Sequence, residues 1–202
     1  MKKQVIGLTG GIASGKNAVA EIFLQHGFCV IDADTVSRQI IEFGTEGYEL
    51  LREHFPETFK GCQEEGGADN ISLDRKKLRE IVFNDLKQLK KLENITHPLI
   101  REKIKTDILV SGKKHILLIV PLLFEKGFNS LCDKTITISA DEKIRIERLR
   151  KRDNIGEDLI KKILSSQFTD EERELKADFV IRNNETLCKL EHEIKEFIKS
   201  LV

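Results

Sequence analysis

The stretch Thr9–Val19, TGGIASGKNAV, constrains the fold of this chain more than any other segment. It follows a β-branched run, Gln4–Leu8, and its Gly10–Lys16 part fits the pattern G-x-x-x-x-G-K. Glycines let the backbone curl until successive N–H groups point at phosphate oxygens, and the start of the following helix adds positive charge. The stretch therefore predicts a phosphate-binding loop between a buried strand and a helix, with the Lys16 ammonium reaching the β- and γ-phosphates of a nucleotide.

The residue after this lysine departs from the pattern, because Asn17 stands where serine or threonine contacts Mg²⁺. Asparagine also offers a neutral oxygen that a hard cation accepts, but one bond further from the backbone. We expect either a shifted direct contact or one through water. Two hypotheses remain: a working enzyme with an altered magnesium contact, and a nucleotide-binding module that has lost catalysis. The other polar residues of the predicted site favour the working enzyme.

Alternating strands and helices predict an α/β fold. A helix is expected from Lys16 to a stop near Gly27, followed by a strand at Phe28–Asp32, and strand, loop, helix and strand together imply a parallel sheet. Further apolar runs predict three more strands: His115–Pro121, Lys134–Ser139 and Asp178–Asn183. A final helix is expected at about 185–201.

Two charged, mostly helical segments interrupt this core, at about 40–112 and 141–176. The first contains a loose, glycine- and acid-rich stretch, Pro56–Ser72, which we interpret as a surface loop. The second is predicted to be a pair of helices broken at Gly156. The core of a single domain then comprises about 1–39, 113–140 and 177–202.

Composition and charge exclude several classes of protein. The formal net charge is zero, so the basic footprint of a nucleic-acid-binding protein is missing. The 4 cysteines are scattered without a Cys-x-x-Cys pair, which argues against a zinc site or a disulfide framework. The longest apolar run, Ile116–Phe124, is interrupted by Pro121 and is too short to span a bilayer. We expect a cytoplasmic protein with reduced thiols and neither nucleic-acid nor membrane partners.

Two aspartates, Asp32 and Asp34, follow the second predicted strand, where ligands bind in open α/β sheets. If the chain stays extended there, residues two apart point the same way and both carboxylates face the phosphates. One would take the proton of an acceptor hydroxyl, and the other would help to hold hydrated Mg²⁺. The alternative is that Asp34 only caps a helix beginning near Thr35.

An arginine stripe lies on the predicted helix EKIRIERLRKRD, where Arg145, Arg148 and Arg152 fall at i, i+3 and i+7. Such a stripe would close over a triphosphate as a lid and offset the charge that moves during transfer. A solvated charged face is the alternative. The other basic residues of this helix are interpreted as surface charge: Lys143, Arg150 and Lys151.

Several segments, in this order, resemble the bacterial dephospho-CoA kinase family: IGLTGGIASGK, VIDAD, RKKLREIVF, LENITHPLI, IVPLLFE, RLRKRD and ADFVIRNN. The resemblance implies ATP-dependent phosphorylation of the 3′-hydroxyl of the dephospho-CoA ribose, giving CoA and ADP. It also implies a three-layer P-loop NTPase-type parallel sheet with a helical CoA-binding insertion at about 40–112 and a helical lid at about 141–176.

The same resemblance assigns roles to residues. Asp34 is the implied general base, with Lys16 and Arg148 as the other catalytic residues, and Mg²⁺ would be held at Asn17 and Asp32, directly or through water. Asn183 and Asn184 would lie near the adenine. The full implied ATP-binding set is Gly11, Ile12, Ala13, Ser14, Gly15, Lys16, Asn17, Ala18, Arg148, Arg152, Asn183 and Asn184.

The implied substrate-binding set is Asp32, Asp34, His97, Pro98, Leu122 and Glu125. Within it, His97 before proline is alternatively a residue that shapes a helix entry. Leu122 and Leu123 are interpreted as pocket wall and core, and Glu125 stays open between an acceptor contact and a surface salt bridge. The loop around Gly66–Gly67 is longer than the resemblance leads us to expect and has no functional explanation.

Three other functions share part of this pattern. A different small-molecule or nucleoside monophosphate kinase shares core and lid, because fold does not determine substrate. A regulatory GTPase is disfavoured because the chain lacks an Asn-Lys-x-Asp segment. A non-catalytic nucleotide-binding module would explain Asn17 alone. A monomer or a weak homo-oligomer is expected.

Overall fold

The computed structural model describes residues 3–62, 70–153 and 168–201. Seven strands are numbered in chain order: β1 Gln4–Gly10, β2 Cys29–Asp32, β3 Phe59–Cys62, β4 Asn70–Leu73, β5 His115–Ile119, β6 Lys134–Ser139 and β7 Phe179–Arg182. Five of them form a parallel sheet in the order β2-β5-β1-β6-β7. The predicted α/β fold with a parallel sheet is confirmed, and its strands differ from the predicted ones by two residues at most.

Eight α-helices are described: α1 Lys16–Gln25, α2 Ala33–Gln39, α3 Glu46–His54, α4 Arg75–Asn84, α5 Leu86–Val110, α6 Glu142–Asp153, α7 Asp170–Glu174 and α8 Leu187–Leu201. Helix α1 ends as predicted, because Gly27 takes the left-handed conformation with a φ of 82°. Helices α1 and α8 pack together and share one apolar core with the sheet. The central strand β1 is buried along nearly its whole length, as expected when helices cover both faces of a parallel sheet.

The chain divides into two compact units, residues 1–33 with 108–202 and residues 34–107. The first unit contains the parallel sheet. The second has a core of its own, formed by Leu51, Phe55, Leu78 and Val82. The finer boundaries of an insertion at 40–112 and a lid at 141–176 stay predictions.

The interpretation of Pro56–Ser72 as a surface loop is wrong at both ends of that segment. Strands β3 and β4 pair there as an antiparallel hairpin, with Phe59 opposite Leu73. Each strand is only four residues long and mixes polar with apolar side chains, so its alternation is too short to read from sequence. Contacts from outside the hairpin support it, including an edge-on ring contact between Tyr48 and Phe59. Gly66–Gly67 and Gly156 lie outside the described residues.

The interpretation of His97 as shaping a helix entry is also wrong. His97 and Pro98 lie inside α5, eleven residues after its start. An internal proline costs about 3 kcal/mol, since a helix hydrogen bond is lost. The helix nevertheless continues and buries Ile100 and Ile104 within the next two turns, which indicates that packing offsets this cost.

Two expectations from composition bear on the thiols and on the membrane. Cys29, Cys132 and Cys188 are free thiols, and burial together with the charge of Asp133 raises the pKa of the Cys132 thiol to about 12. Cys132 is therefore protonated and unreactive at neutral pH. Among the helices described, none combines the length and the apolar character needed to cross a bilayer.

Candidate active site

The loop at residues 11–15 joins β1 to α1 and requires glycine at its last position. Gly15 has a φ of 107°, in the left-handed region. A Cβ atom at Gly15 would lie 2.2 Å from Nδ2 of Asn183, which follows β7. Both the backbone conformation and this close approach exclude a side chain. The second glycine of the sequence pattern is thus explained by local geometry and by packing against the end of another strand.

Lys16 places its ammonium group over the first turn of this loop. Its Nζ donates to the carbonyl oxygens of Gly10 and Gly11, at 2.8 and 3.1 Å. The sequence assigns the same ammonium to nucleotide phosphates. Its position at the loop agrees with that assignment, because a phosphate bound there would be within reach of a flexible four-carbon side chain.

The next three carbonyl oxygens accept hydrogen bonds from side chains of distant elements. The donors are Arg145 to Ile12 at 3.0 Å, Arg148 to Ala13 and Ser14 at 3.3 Å each, and Asn183 to Ser14 at 2.8 Å. In a planar trans peptide the N–H points opposite to the C=O. The N–H groups of Ala13 and Gly15 therefore point away from these donors, as a phosphate cradle needs, while the Ser14 N–H donates to the Gly11 carbonyl oxygen at 3.2 Å.

Burial separates the three arginines of the stripe. Arg145 is 7% exposed, Arg148 is half-buried and Arg152 is exposed. The alternative of a solvated charged face is therefore wrong for Arg145. It is correct for the residues interpreted as surface charge, all of which are exposed: Lys143, Arg150 and Lys151.

A chain of buried ion pairs continues from Arg145. Its Nη1 lies 3.0 Å from Asp170, whose other carboxylate oxygen lies 3.4 Å from the fully buried Arg173. Arg173 also reaches Glu125 at 3.3 Å. Sequence reasoning missed Asp170 and Arg173. The T-x-x-E pattern at Thr169–Glu172 could have located them, since it forms a capping box at the start of α7.

Glu125 makes a salt bridge, but the bridge is not on the surface. Its side chain is only 12% exposed, and its partner Arg173 is completely buried. The interpretation of Glu125 as forming a surface salt bridge is therefore wrong about its position, because the segment after β5 contacts the buried Arg173 of α7. Contact between Glu125 and the acceptor stays a prediction. Leu122 is half-buried, while Leu123 belongs to the core, as predicted.

Asp32 lies at the same edge of the sheet as the loop. It is the half-buried last residue of β2, and it pairs with Ile119 of β5, which in turn pairs with Leu8 of β1. Two steps across a sheet place the backbones of Asp32 and Leu8 roughly 10 Å apart. The position fits a carboxylate that contributes to a metal site beside the loop.

Two expectations about Asp34 are wrong. Helix α2 begins at Ala33, so the chain is not extended between Asp32 and Asp34, and Asp34 lies within the first helical turn instead of capping a helix that begins near Thr35. Residues two apart on a helix do not share a face, so the expectation that both carboxylates point the same way loses its basis. Asp34 is exposed and belongs to the second unit. Its catalytic role stays a prediction.

The remaining predicted residues lie on three elements. Asn17 and Ala18 are in the first turn of α1, where the Asn17 side chain is exposed. Asn184 exchanges two hydrogen bonds with Asp141 at the start of α6, at 2.8 and 2.7 Å. His97 is half-buried and Pro98 is exposed, both on α5.

The side-chain oxygens near the loop are of the kind that binds magnesium. Among the described residues there is no cluster of three or more histidine, cysteine or carboxylate side chains that could hold a metal. Mg²⁺ does not need one, because it keeps several waters and binds one or two protein oxygens together with substrate phosphates. Asn17 and Asp32 supply oxygens of that kind.

A cleft of about 720 Å³ opens between the ends of β6 and β7 and helices α6 and α7. Its wall carries several carboxylates: Asp141, Glu142, Asp170, Glu171 and Glu174. These five carboxylates outnumber the two arginines of the lining, Arg145 and Arg182, so the cleft suits a polyanionic triphosphate poorly. The loop with Lys16 is therefore the better phosphate site.

Comparison with known proteins assigns this arrangement to a family. The family model described as dephospho-CoA kinase matches residues 4–189. A dephospho-CoA kinase from Fusobacterium nucleatum is 38% identical over 201 residues, covering 100% of both chains. The solved dephospho-CoA kinase from Campylobacter jejuni has a TM-score of 0.64 and 31% identity, covering 98% of this chain and 97% of its own. A crystal structure from Thermus thermophilus has a TM-score of 0.86 and 29% identity, with both chains fully covered. The chain belongs to the dephospho-CoA kinase family and has its P-loop kinase fold.

Proposed function

We propose that this kinase transfers the γ-phosphoryl group of ATP to the 3′-hydroxyl of the ribose of dephospho-CoA, giving CoA and ADP. Family membership supports the reaction class and the acceptor. The 3′ position and the roles of individual residues are the finer proposal, and two experiments test them.

In the proposed step, the 3′-oxygen attacks the γ-phosphorus as the bond from that phosphorus to the β–γ bridging oxygen breaks. The proton of the hydroxyl goes to the Asp34 carboxylate, and ADP leaves with the electron pair of the broken bond. Positioned general bases contribute roughly 10²–10⁴-fold in rate. Asp34 is assigned by the family's D-A-D motif, here Asp32-Ala33-Asp34.

The negative charge of the phosphates would be offset by positive side chains at the loop. Lys16 lies over the loop, and Arg148 approaches it from α6. Asn17 and Asp32 would hold Mg²⁺, which neutralises phosphate charge when bound. In phosphoryl transfer the protein takes little part in bond making or breaking. Positioning of the reactants and electrostatic stabilisation of the transition state therefore account for most of the catalysis.

One observation carries the proposal: side chains from α6 and from the end of β7 engage the carbonyl oxygens of the loop. The N–H groups of Ala13 and Gly15 are thereby directed to the opposite side, where phosphate oxygens can accept from them. A glycine-rich turn without a ligand would not need three distant side chains to orient its peptides.

The first experiment measures ADP release with ATP and Mg²⁺, using dephospho-CoA, adenosine, AMP and dTMP as parallel acceptors, and maps the phosphate on the product by ³¹P NMR. We expect turnover with dephospho-CoA alone and phosphate on the 3′-oxygen. Turnover with AMP or dTMP instead would assign a nucleoside monophosphate kinase. ATP binding without turnover on any acceptor would assign a non-catalytic module.

The second experiment tests the base. Asp34→Asn should lower kcat by roughly 10²-fold or more while ATP affinity is retained. The matched control is Glu53→Gln, which neutralises an exposed carboxylate in the same unit and should leave kcat unchanged. Wild-type turnover by Asp34→Asn would remove Asp34 from the mechanism.

A further inference from the structure

The loop contains a strained residue that no glycine pattern explains. Ala13 has a φ of 60°, and it is the one non-glycine residue with positive φ in the part of the chain that the structure describes. Residues with a Cβ atom are disfavoured in this region and persist there only when their surroundings hold them. The question is which groups hold Ala13.

Two arginines engage the peptide groups on either side of Ala13. Arg145 Nε donates to the carbonyl of Ile12, which belongs to the peptide before Ala13, at 3.0 Å. Arg148 donates to the carbonyl of Ala13 itself, in the peptide after it, at 3.3 Å. Because φ and ψ of Ala13 are set by the orientations of these two peptides, the two donors together restrain its conformation.

The Arg145 side chain is held in place by its neighbours and is therefore not available as a mobile lid contact. It is 9% exposed, and Asp170 binds its Nη1 at 3.0 Å, opposite the Nε that binds the loop. Its guanidinium also lies against Gly11, where an added Cβ would be 2.6 Å from Cζ. Asp170 is in turn held by Arg173 at 3.4 Å.

From this geometry we infer that Arg145, oriented by Asp170, is a positioning residue that keeps the strained Ala13 in the conformation that presents the N–H groups of Ala13 and Gly15 to phosphate. It acts through the backbone of Ile12 and Ala13. The inference rests on the proposed function only in taking the loop as the ATP site.

The test measures the Kd of ATP by calorimetry without acceptor, so that failure of the acceptor chemistry cannot affect it. Arg145→Met should weaken ATP binding by roughly tenfold, because loss of the restraint lets Ala13 relax. Asp170→Asn should also weaken ATP binding, but by a smaller factor than Arg145→Met. Lys143→Met removes an exposed charge from the same helix and should leave the Kd unchanged.

The decisive variant is Arg145→Met combined with Ala13→Gly. Glycine adopts positive φ without a steric penalty, so the double variant should regain most of the ATP affinity that Arg145→Met loses. A direct contact of Arg145 with the nucleotide, or a general loss of packing, would not be repaired by a change at Ala13. If Arg145→Met does not fold, Arg145→Lys supports the same comparison, because lysine keeps the charge but cannot donate in two directions from one planar group.

Unchanged ATP affinity in a folded Arg145→Met would overturn the inference, and so would the absence of rescue by Ala13→Gly. In steady-state kinetics we expect Arg145→Met to raise KM for ATP and to leave KM for dephospho-CoA unchanged. An equal rise in both KM values would likewise contradict a role confined to the loop.

Discussion

Asn17 keeps a side-chain oxygen at the position where the loop pattern has serine or threonine. It occupies the first turn of α1 with an exposed side chain, directly after the lysine that lies over the loop. The amide oxygen lies one bond further from the backbone than the usual hydroxyl, and Mg²⁺ readily accepts contacts through its retained waters. We propose that position 17 affects metal affinity more than the fold.

We predict that Asn17→Ser lowers the Mg²⁺ concentration needed for half-maximal turnover, while Asn17→Ala raises it by roughly tenfold. Titration of turnover with Mg²⁺ at saturating ATP measures both. Identical magnesium curves for the serine variant and the wild type would mean that position 17 does not contact the metal, directly or through water.

Gly15 carries a second prediction at this scale. Gly15→Ala should reduce the free energy of unfolding by about 1–3 kcal/mol, because alanine is strained at a φ of 107° and its methyl group meets Asn183. Urea unfolding measures the change. Gly112→Ala is the control, since no atom lies within 4 Å of its added Cβ, and we expect less than about 0.5 kcal/mol there. Equal effects at both glycines would contradict the close approach.

At the scale of elements, helix starts and interruptions determine where side chains lie. Helix α4 begins after Asp74, whose carboxylate caps it by accepting from Lys76 and Lys77 and also pairs with Lys60 of the hairpin at 2.6 Å. Helix α5 contains Pro98 yet runs from Leu86 to Val110. Each feature predicts a measurable consequence.

The Lys60 ammonium and the N–H groups of Lys77 and Lys76 hold the pKa of the Asp74 carboxyl below its usual value. A depressed pKa in the folded state gives stability above the unfolded pKa, and this stability is lost as the pH falls. We therefore expect Asp74→Asn, which keeps a capping side chain, to flatten the loss of stability below about pH 4. Urea midpoints measured across the acid range test this, and parallel curves for variant and wild type would contradict it.

Pro98→Ala should raise the free energy of unfolding by at most about 3 kcal/mol, because it restores a backbone donor inside α5. If Pro98 contacts the acceptor, as the family resemblance implies, the same change raises KM for dephospho-CoA. Thr106→Ala is an exposed control in the same helix, with a gain of less than about 1 kcal/mol and no change in KM. A destabilised Pro98→Ala would show that the ring packs favourably.

For the whole molecule, a net charge of zero means that attraction of a polyanionic nucleotide has to be local. The positive groups around the loop provide it, with Lys16, Arg145 and Arg148 all donating to loop carbonyls. The neighbouring cleft is lined by five carboxylates and two arginines, one of which is Arg145 itself. Within the sheet unit, a surplus of carboxylates therefore lies beside the positive groups of the loop, although the signs cancel over the chain.

Hydrogen exchange should show a division of tasks between the two units. With Mg²⁺, ATP alone should protect peptides that cover 10–20 and 142–152, where the loop and α6 meet. Dephospho-CoA alone should protect peptides within 75–110, which carry the proposed acceptor residues of α5. Protection of 75–110 by ATP alone would assign the nucleotide to the second unit and contradict the proposed site.

The sequence by itself determined the phosphate loop, the βαβ unit around it and the parallel sheet. These features depend on residues close together along the chain: glycines that allow a turn, a helix that starts at the next residue, and apolar runs that form strands. Asn17 could be recognised as a departure for the same reason, since its neighbours define the pattern.

Only the tertiary structure decided which groups hold that loop in place. Arg145 and the Ile12 carbonyl lie 133 residues apart in sequence, and Asn183 and Ser14 lie 169 apart. They meet because β1, β6 and β7 are neighbours in the sheet, an order that no local pattern contains. The same holds for the buried pairing of Arg173 with Glu125 and for the hairpin of β3 and β4. Spacing along a helix predicted that Arg145 and Arg148 share a face, but only the structure showed that Arg145 is buried, Arg148 half-buried and Arg152 exposed.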